Sequence, residues 1–130
     1  MVSDHKAPNL CQGGCHCGRV EYEIELSDQL TVHRCNCSIC QKSGYLHYIV
    51  PATQFTLLKG REHLTEYRFH TGVARHLFCS HCGIKSFYIP RSHPDSISAN
   101  FNCLDVPEDI TVLIKDFDGR DWSNNRGTLD

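Results

Sequence analysis

The sequence predicts a mainly β protein, and three observations carry that prediction. Residues 19–26 (RVEYEIEL) alternate Val20, Tyr22, Ile24 and Leu26 with charged neighbours, the period-two pattern of a strand with one wet face. Other apolar runs are short, rich in β-branched and aromatic residues, and bounded by Pro or Gly, as strands are. No window sustains the 3.6-residue period of an amphipathic helix.

Taken in order, residues 19–26 form the first expected strand, and residues 38–43 offer at most one helical turn. Residues 46–50 (LHYIV) make a short strand that Pro51 stops. Residues 63–70 and 74–79 flank Thr71-Gly72, a hairpin signal. Residues 84–89 (IKSFYI) and 110–114 (ITVLI) are further strands. The tail after Phe117 is polar and carries the sole tryptophan, Trp122. With 130 residues and no repeat, low-complexity tract or linker, one domain is expected over residues 1–130, its core spanning about 11–122.

Formal charge is −2 and the pI about 6.5, so no basic field calls for nucleic acid or an anionic membrane. The opening MVSDHKAPNL lacks the apolar centre of a signal peptide, and no apolar run is long enough to span a bilayer. The expectation is a soluble intracellular protein, cytoplasmic with the nucleus as the alternative.

Nine cysteines are many for a chain kept in a reducing pool. The odd count and the clustered CxC and CxxC spacings favour a metal over a disulfide framework. Cys79-Ser80-His81-Cys82-Gly83 is a CxxC turn with a glycine exit, which aims two sulfurs at one ion. Cys15-His16-Cys17-Gly18 is a CxC, and residues i and i+2 of a strand point the same way. Cys15, Cys17, Cys79 and Cys82 together make the four ligands of a closed, structural zinc site.

Cys35-Asn36-Cys37-Ser38-Ile39-Cys40 supplies three more sulfurs. Its fourth ligand is open: Cys11, Cys103, a histidine or a molecule from outside. Cys11 and Cys103 stand alone and read first as buried or half-buried thiols, with ligation the lesser alternative. His47 reads as a core-edge histidine or as a residue facing the metal. An open fourth position is the mark of a catalytic zinc. Three thiolates leave Zn²⁺ with net charge −1, a weak Lewis acid that makes hydroxide poorly yet can hold a thiol as thiolate. Sulfur chemistry is therefore expected over hydrolysis.

The runs GGCHCGRVEYEI, CNCSIC and FCSHCGIKSFY resemble the glutathione-dependent formaldehyde-activating enzyme family, whose fold is a zinc-bound β-tent of antiparallel sheets. The longer pattern HRCNCSICQKSGYLHYIVP, with FTLLKG, FYIPRSHP, NCLD and DFDGRDW, is similar to the animal branch typified by centromere protein V. The resemblance implies two zinc ions: a structural one on Cys15, Cys17, Cys79 and Cys82, and a catalytic one on Cys35, Cys37 and Cys40. Glutathione thiol or water would complete the second. The implied activity is that of a carbon–sulfur lyase, joining or splitting glutathione and a small aldehyde as an S-hydroxymethyl adduct. His47 or water would move the proton; Arg19, Lys42, Arg75 and Arg91 are candidates to meet the carboxylates of glutathione, but each reads first as a solvated surface charge. The alternative is a non-catalytic β-tent docking module in which both zincs are closed. A methionine sulfoxide reductase with Cys103 as nucleophile ranks last, since it leaves CNCSIC without a role.

Overall fold

The structure, a computed structural model, describes residues 9–68, 75–90 and 95–117. Strands β1 (Asn9–Gly14) and β2 (Glu21–Leu26) pair antiparallel, Cys11 opposite Ile24. The alternation in β2 has the expected effect: Tyr22, Ile24 and Leu26 are buried while the glutamates stay wet. Strand β3 (Gln29–Cys35) leads into the six-residue helix α1 (Ser38–Ser43), then β4 (Leu46–Pro51) and β5 (Phe55–Lys59). Five strands follow: β6 (Leu64–Tyr67), β7 (Arg75–Cys79), β8 (Phe87–Ile89), β9 (Ser96–Asn100) and β10 (Thr111–Phe117).

These strands make two sheets, one ordered β1-β2-β5 and the other β10-β3-β4-β9-β8-β7-β6. Pairing is antiparallel apart from β10 on β3, which is parallel and departs from the wholly antiparallel expectation. Tyr22, Phe55 and Phe87 fasten the sheets together, with ring centroids 4.8, 5.6 and 4.8 Å apart. Such pairs add about 0.5–1.5 kcal/mol each beyond their buried area. The buried Tyr22 hydroxyl donates to the Ser86 carbonyl at 2.8 Å, so the core hides no unpaired phenol.

Several expectations need correction. The strand expected over 84–89 begins only at Phe87, because Ile84 is exposed and its carbonyl accepts from Cys79 N–H at 3.0 Å. Strands β1, β3, β5 and β9 were not anticipated. The four residues Ile97–Asn100 of β9 are all buried, so no alternation marks this Ser- and Ala-containing strand. Strands β6 and β7 do pair antiparallel; Thr71-Gly72, Arg91 and Trp122 lie outside the described residues. Among the described residues, no helix is long and apolar enough to cross a membrane.

Candidate metal centres

Two turns bring the first four cysteines together. One joins β1 to β2, and the other follows β7. The CxC pair thus sits in a turn and not in a strand, a correction to the expected geometry. In the first turn Cys15 N–H donates to the Val20 carbonyl at 3.1 Å. In the second, Gly83 N–H donates to the Cys79 carbonyl at 2.9 Å. Gly18 and Gly83 leave their turns at φ of 83° and 77°, the left-handed region where a Cβ is penalised.

The Sγ atoms of Cys15, Cys17, Cys79 and Cys82 all lie within 4.8 Å of one another. Cys15 to Cys17 is 3.6 Å and Cys17 to Cys79 is 3.7 Å. Tetrahedral zinc with Zn–S of about 2.3 Å requires S···S edges of about 3.8 Å, so the donor set fits that ion. Backbone N–H groups of Val20 and His81 point at the sulfurs of Cys15 and Cys79, at 3.3 and 3.4 Å, and they favour thiolate. The Arg19 N–H, then its guanidinium, lower the Cys17 thiol to about 6. Arg19, exposed at this turn, thus stands beside the four-sulfur cluster.

The other three sulfurs converge locally. Cys35 ends β3, Cys37 caps α1 and Cys40 lies within it. Their Sγ atoms also lie within 4.8 Å of one another, and among the described residues no further His, Cys, Asp or Glu joins them. Cys37 N–H donates to Cys35 Sγ at 3.4 Å. Hydrogen bonds with Cys35 and then Cys40 pull the Cys37 thiol down, while those with Cys35 and Cys37, and then burial, push Cys40 up. Cys35 is raised as well, first by its hydrogen bond with Cys37, so without a bound cation the cluster favours a single thiolate, on Cys37, and a metal would be needed to hold all three sulfurs as thiolates.

His47 stands behind this cluster. Its Nε2 lies 3.0 Å from Cys40 Sγ, and its Nδ1 faces Ser98 Oγ at 3.0 Å and Tyr88 Oη at 3.2 Å. The ring thus spans the cluster and the two hydroxyls; with Cys40 as a thiolate, the tautomer that suits it carries the proton on Nε2 and leaves Nδ1 to accept from a hydroxyl. The contact is with Cys40 alone, so His47 orients a sulfur and does not complete the set of ligands. Burial, then the Lys85 charge, lowers His47 to about 3. Tyr45 packs on both rings, 4.7 Å from His47 and 5.3 Å from Tyr88, and its hydroxyl donates to the Ser98 carbonyl at 2.5 Å.

A cleft of about 760 Å³ opens in front, walled by Cys35, Cys40, Tyr45, Leu46 and Phe117, with Arg34, Asn36, Gln41, Asn102 and Asp116 supplying polar groups. His47 does not line it. Arg34 does, and its Nε donates to Asp116 at 2.7 Å. Arg34 was not among the cations expected from the sequence; of those, Arg75 pairs with Glu66 at 2.9 Å, and Lys42 is exposed on the last turn of α1. Cys11 is buried in the core, its thiol raised by burial, and Cys103 is raised by burial to about 11; neither joins a cluster.

Sequence reasoning missed Arg34, Tyr45, Tyr88, Ser98 and Lys85. A lone cation in the apolar run IKSFYI was the one available signal for Lys85. The others depend on which strands become neighbours.

The family described as "Glutathione-dependent formaldehyde-activating enzyme" matches residues 10–118. A protein of Halomonas elongata named "Putative glutathione-dependent formaldehyde-activating enzyme" is 26% identical over 119 residues, covering 82% of this chain and 76% of its own. A crystal structure of a Rhodobacter sphaeroides protein superposes with a TM-score of 0.66 at 34% identity, covering 80% of this chain and 99% of that one.

Proposed function

The chain belongs to the glutathione-dependent formaldehyde-activating enzyme family, and on that premise we propose that it is a zinc-dependent carbon–sulfur lyase acting on the adduct of glutathione with a small aldehyde. The observation that carries this reading is the convergence of Cys35, Cys37 and Cys40, two of which (Cys35 and Cys40) line an open cleft, with no fourth protein ligand among the described residues. Zinc on these three sulfurs would supply a positive centre that keeps a visiting thiol deprotonated near neutral pH. Zinc on Cys15, Cys17, Cys79 and Cys82 would have no open position and serves the fold. The run HRCNCSICQKSGYLHYIVP supports placing the chain in the branch typified by centromere protein V.

In the synthetic direction, the thiol sulfur forms a bond to the aldehyde carbon. The proton lost from sulfur ends on the former carbonyl oxygen, giving the S-hydroxymethyl group; the reverse splits the same bond. The chain's own part is to bind and orient. Tyr45, Leu46 and Phe117 wall the cleft and limit water around the reacting carbon. Arg34 is the described cation in the cleft and offers its guanidinium to a glutathione carboxylate. Asn36, Gln41 and Asn102 offer amide groups to the peptide bonds. His47 holds Cys40 from behind, so the exchanging proton passes through water in the cleft.

The test has two parts. Purified, reduced protein should carry about two zinc ions per chain. With carbon-13-labelled formaldehyde and glutathione, NMR should show faster exchange with the S-hydroxymethyl adduct than buffer alone gives. Cys40→Ser should abolish the acceleration and keep the fold. A folded, two-zinc protein that leaves the exchange at the buffer rate would defeat the lyase reading.

A further inference from the structure

Lys85 precedes β8 and is half-buried. Its ammonium lies 2.8 Å from His76 Nδ1, 4.0 Å from the centre of the Tyr88 ring and 4.7 Å from that of Tyr45. Those two tyrosines form one buried cluster with Cys40, against which Cys35 and Cys37 pack. Lysine is seldom placed this way unless an opposite charge offsets it. Among the described residues, the carboxylates that pair with cations are engaged elsewhere, with Arg34, Lys59, His63, Arg68 and Arg75. His76 cannot serve as a counter-ion, since it is a neutral acceptor, lowered to about 4 mainly by burial. What remains is sulfur. Burial lowers Lys85 to about 8, and the charges that act in the opposite sense are those of Cys40, Cys37 and Cys35.

We propose that Lys85 is the counter-charge of the site formed by Cys35, Cys37 and Cys40, a positioning residue that holds negative charge on these sulfurs and on a thiol added to them. The proposal rests on the reading that this site takes a metal and then an exogenous thiol. Three thiolates on Zn²⁺ carry net −1, and a fourth makes it −2; each added charge is opposed by desolvation unless a cation stands close. The two aromatic faces hold the ammonium in place through cation–π contact. They also keep it out of the cleft, so Lys85 acts through the field at the sulfurs and not by touching substrate.

The experiment follows zinc release from the loaded protein into a chromophoric chelator, with and without millimolar glutathione, for wild type, Lys85→Gln, Lys85→Met and Lys85→Arg. Wild type should release two equivalents in separate steps, the first from the three-sulfur site and slowed by glutathione. In Lys85→Gln and Lys85→Met the first step should come at about tenfold lower chelator, the scale on which one partly buried charge acts on another. Glutathione protection should weaken by a similar factor and the second step should stay put. Lys85→Arg, which keeps the charge and changes the shape, should stay within about threefold of wild type. Unchanged release from both neutral variants overturns the proposal. So does an Arg variant as weak as Gln, since packing and not charge would then be the role, or neutral variants that fail to fold while Arg folds, since the charge would then serve the fold and not the three-sulfur site. A wild-type protein releasing a single equivalent refutes the second metal site itself, before any Lys85 variant is read.

Discussion

His47 and His76 lie on either side of Tyr88, and both are held uncharged. His47 is lowered to about 3 and His76 to about 4, with burial the larger cause and the Lys85 charge next. An unfolded histidine titrates near 6.5, so below that pH the unfolded chain takes up protons that the folded chain refuses. Stability therefore falls as pH drops below about 6.5, and the fall continues to about 4 for His76 and about 3 for His47. Each group contributes at most about 1.4 kcal/mol per pH unit within its window. His76→Gln keeps an acceptor for Lys85 and removes one titration. Urea unfolding at pH 7, 6 and 5 should show a shallower loss in the variant than in wild type; parallel pH profiles would contradict the assignment of a neutral His76. Acid release of metal is common to both proteins and cancels in the comparison.

At the scale of elements, the turn after β7 shows how a short sequence signal becomes a site. Gly83 has φ of 77° and nothing within 4 Å of where a Cβ would stand, so Gly83→Ala is opposed by backbone strain alone, about 1–2 kcal/mol. Gly83→Asn, which tolerates the left-handed region, should recover part of that loss. Denaturation midpoints of the zinc-loaded proteins check both; an alanine variant as stable as wild type would mean that the turn relaxes. Signals of this local kind were legible in the sequence. The turn over α1, the strand in β2 and the seven clustered cysteines depend on neighbours a few residues apart. Strand β9 was not legible, because burial on both faces erases the alternation that marks a half-exposed strand. Nor were Tyr88 and Lys85, whose meaning comes from the order β4-β9-β8, which brings residue 88 beside residue 47. The CxC pair was legible as a ligand pair while its conformation was not, since two sulfurs can converge from a turn as well as from a strand.

Across the whole molecule, the two clusters differ in the chain they close. Cys17 and Cys79 stand 62 positions apart and meet at 3.7 Å, so the four-sulfur centre ties the β1-β2 connection to the end of β7. The three-sulfur centre closes only residues 35–40. Metal bound by the first is folding free energy for the whole domain, and metal bound by the second is mainly local. Cys79→Ser should therefore unfold or aggregate the domain. Cys37→Ser should leave the thermal midpoint within a few degrees of wild type while lowering zinc content toward one per chain. Equal collapse of both variants would make both zincs structural and favour a docking module.

The central claim is that the three sulfurs of CNCSIC form an open site that an outside thiol completes. Zinc-edge X-ray absorption on the two-zinc protein tests it without reference to turnover. Without glutathione the average sulfur count per zinc should be about 3.5, from one centre of four and one of three plus a light atom. Millimolar glutathione should raise that average to about 4, with all sulfur near 2.3 Å and the light-atom shell lost. In Cys40→Ser the rise to four should be lost. A spectrum that glutathione leaves unchanged, with a nitrogen or a fourth protein sulfur already bound, would contradict the account.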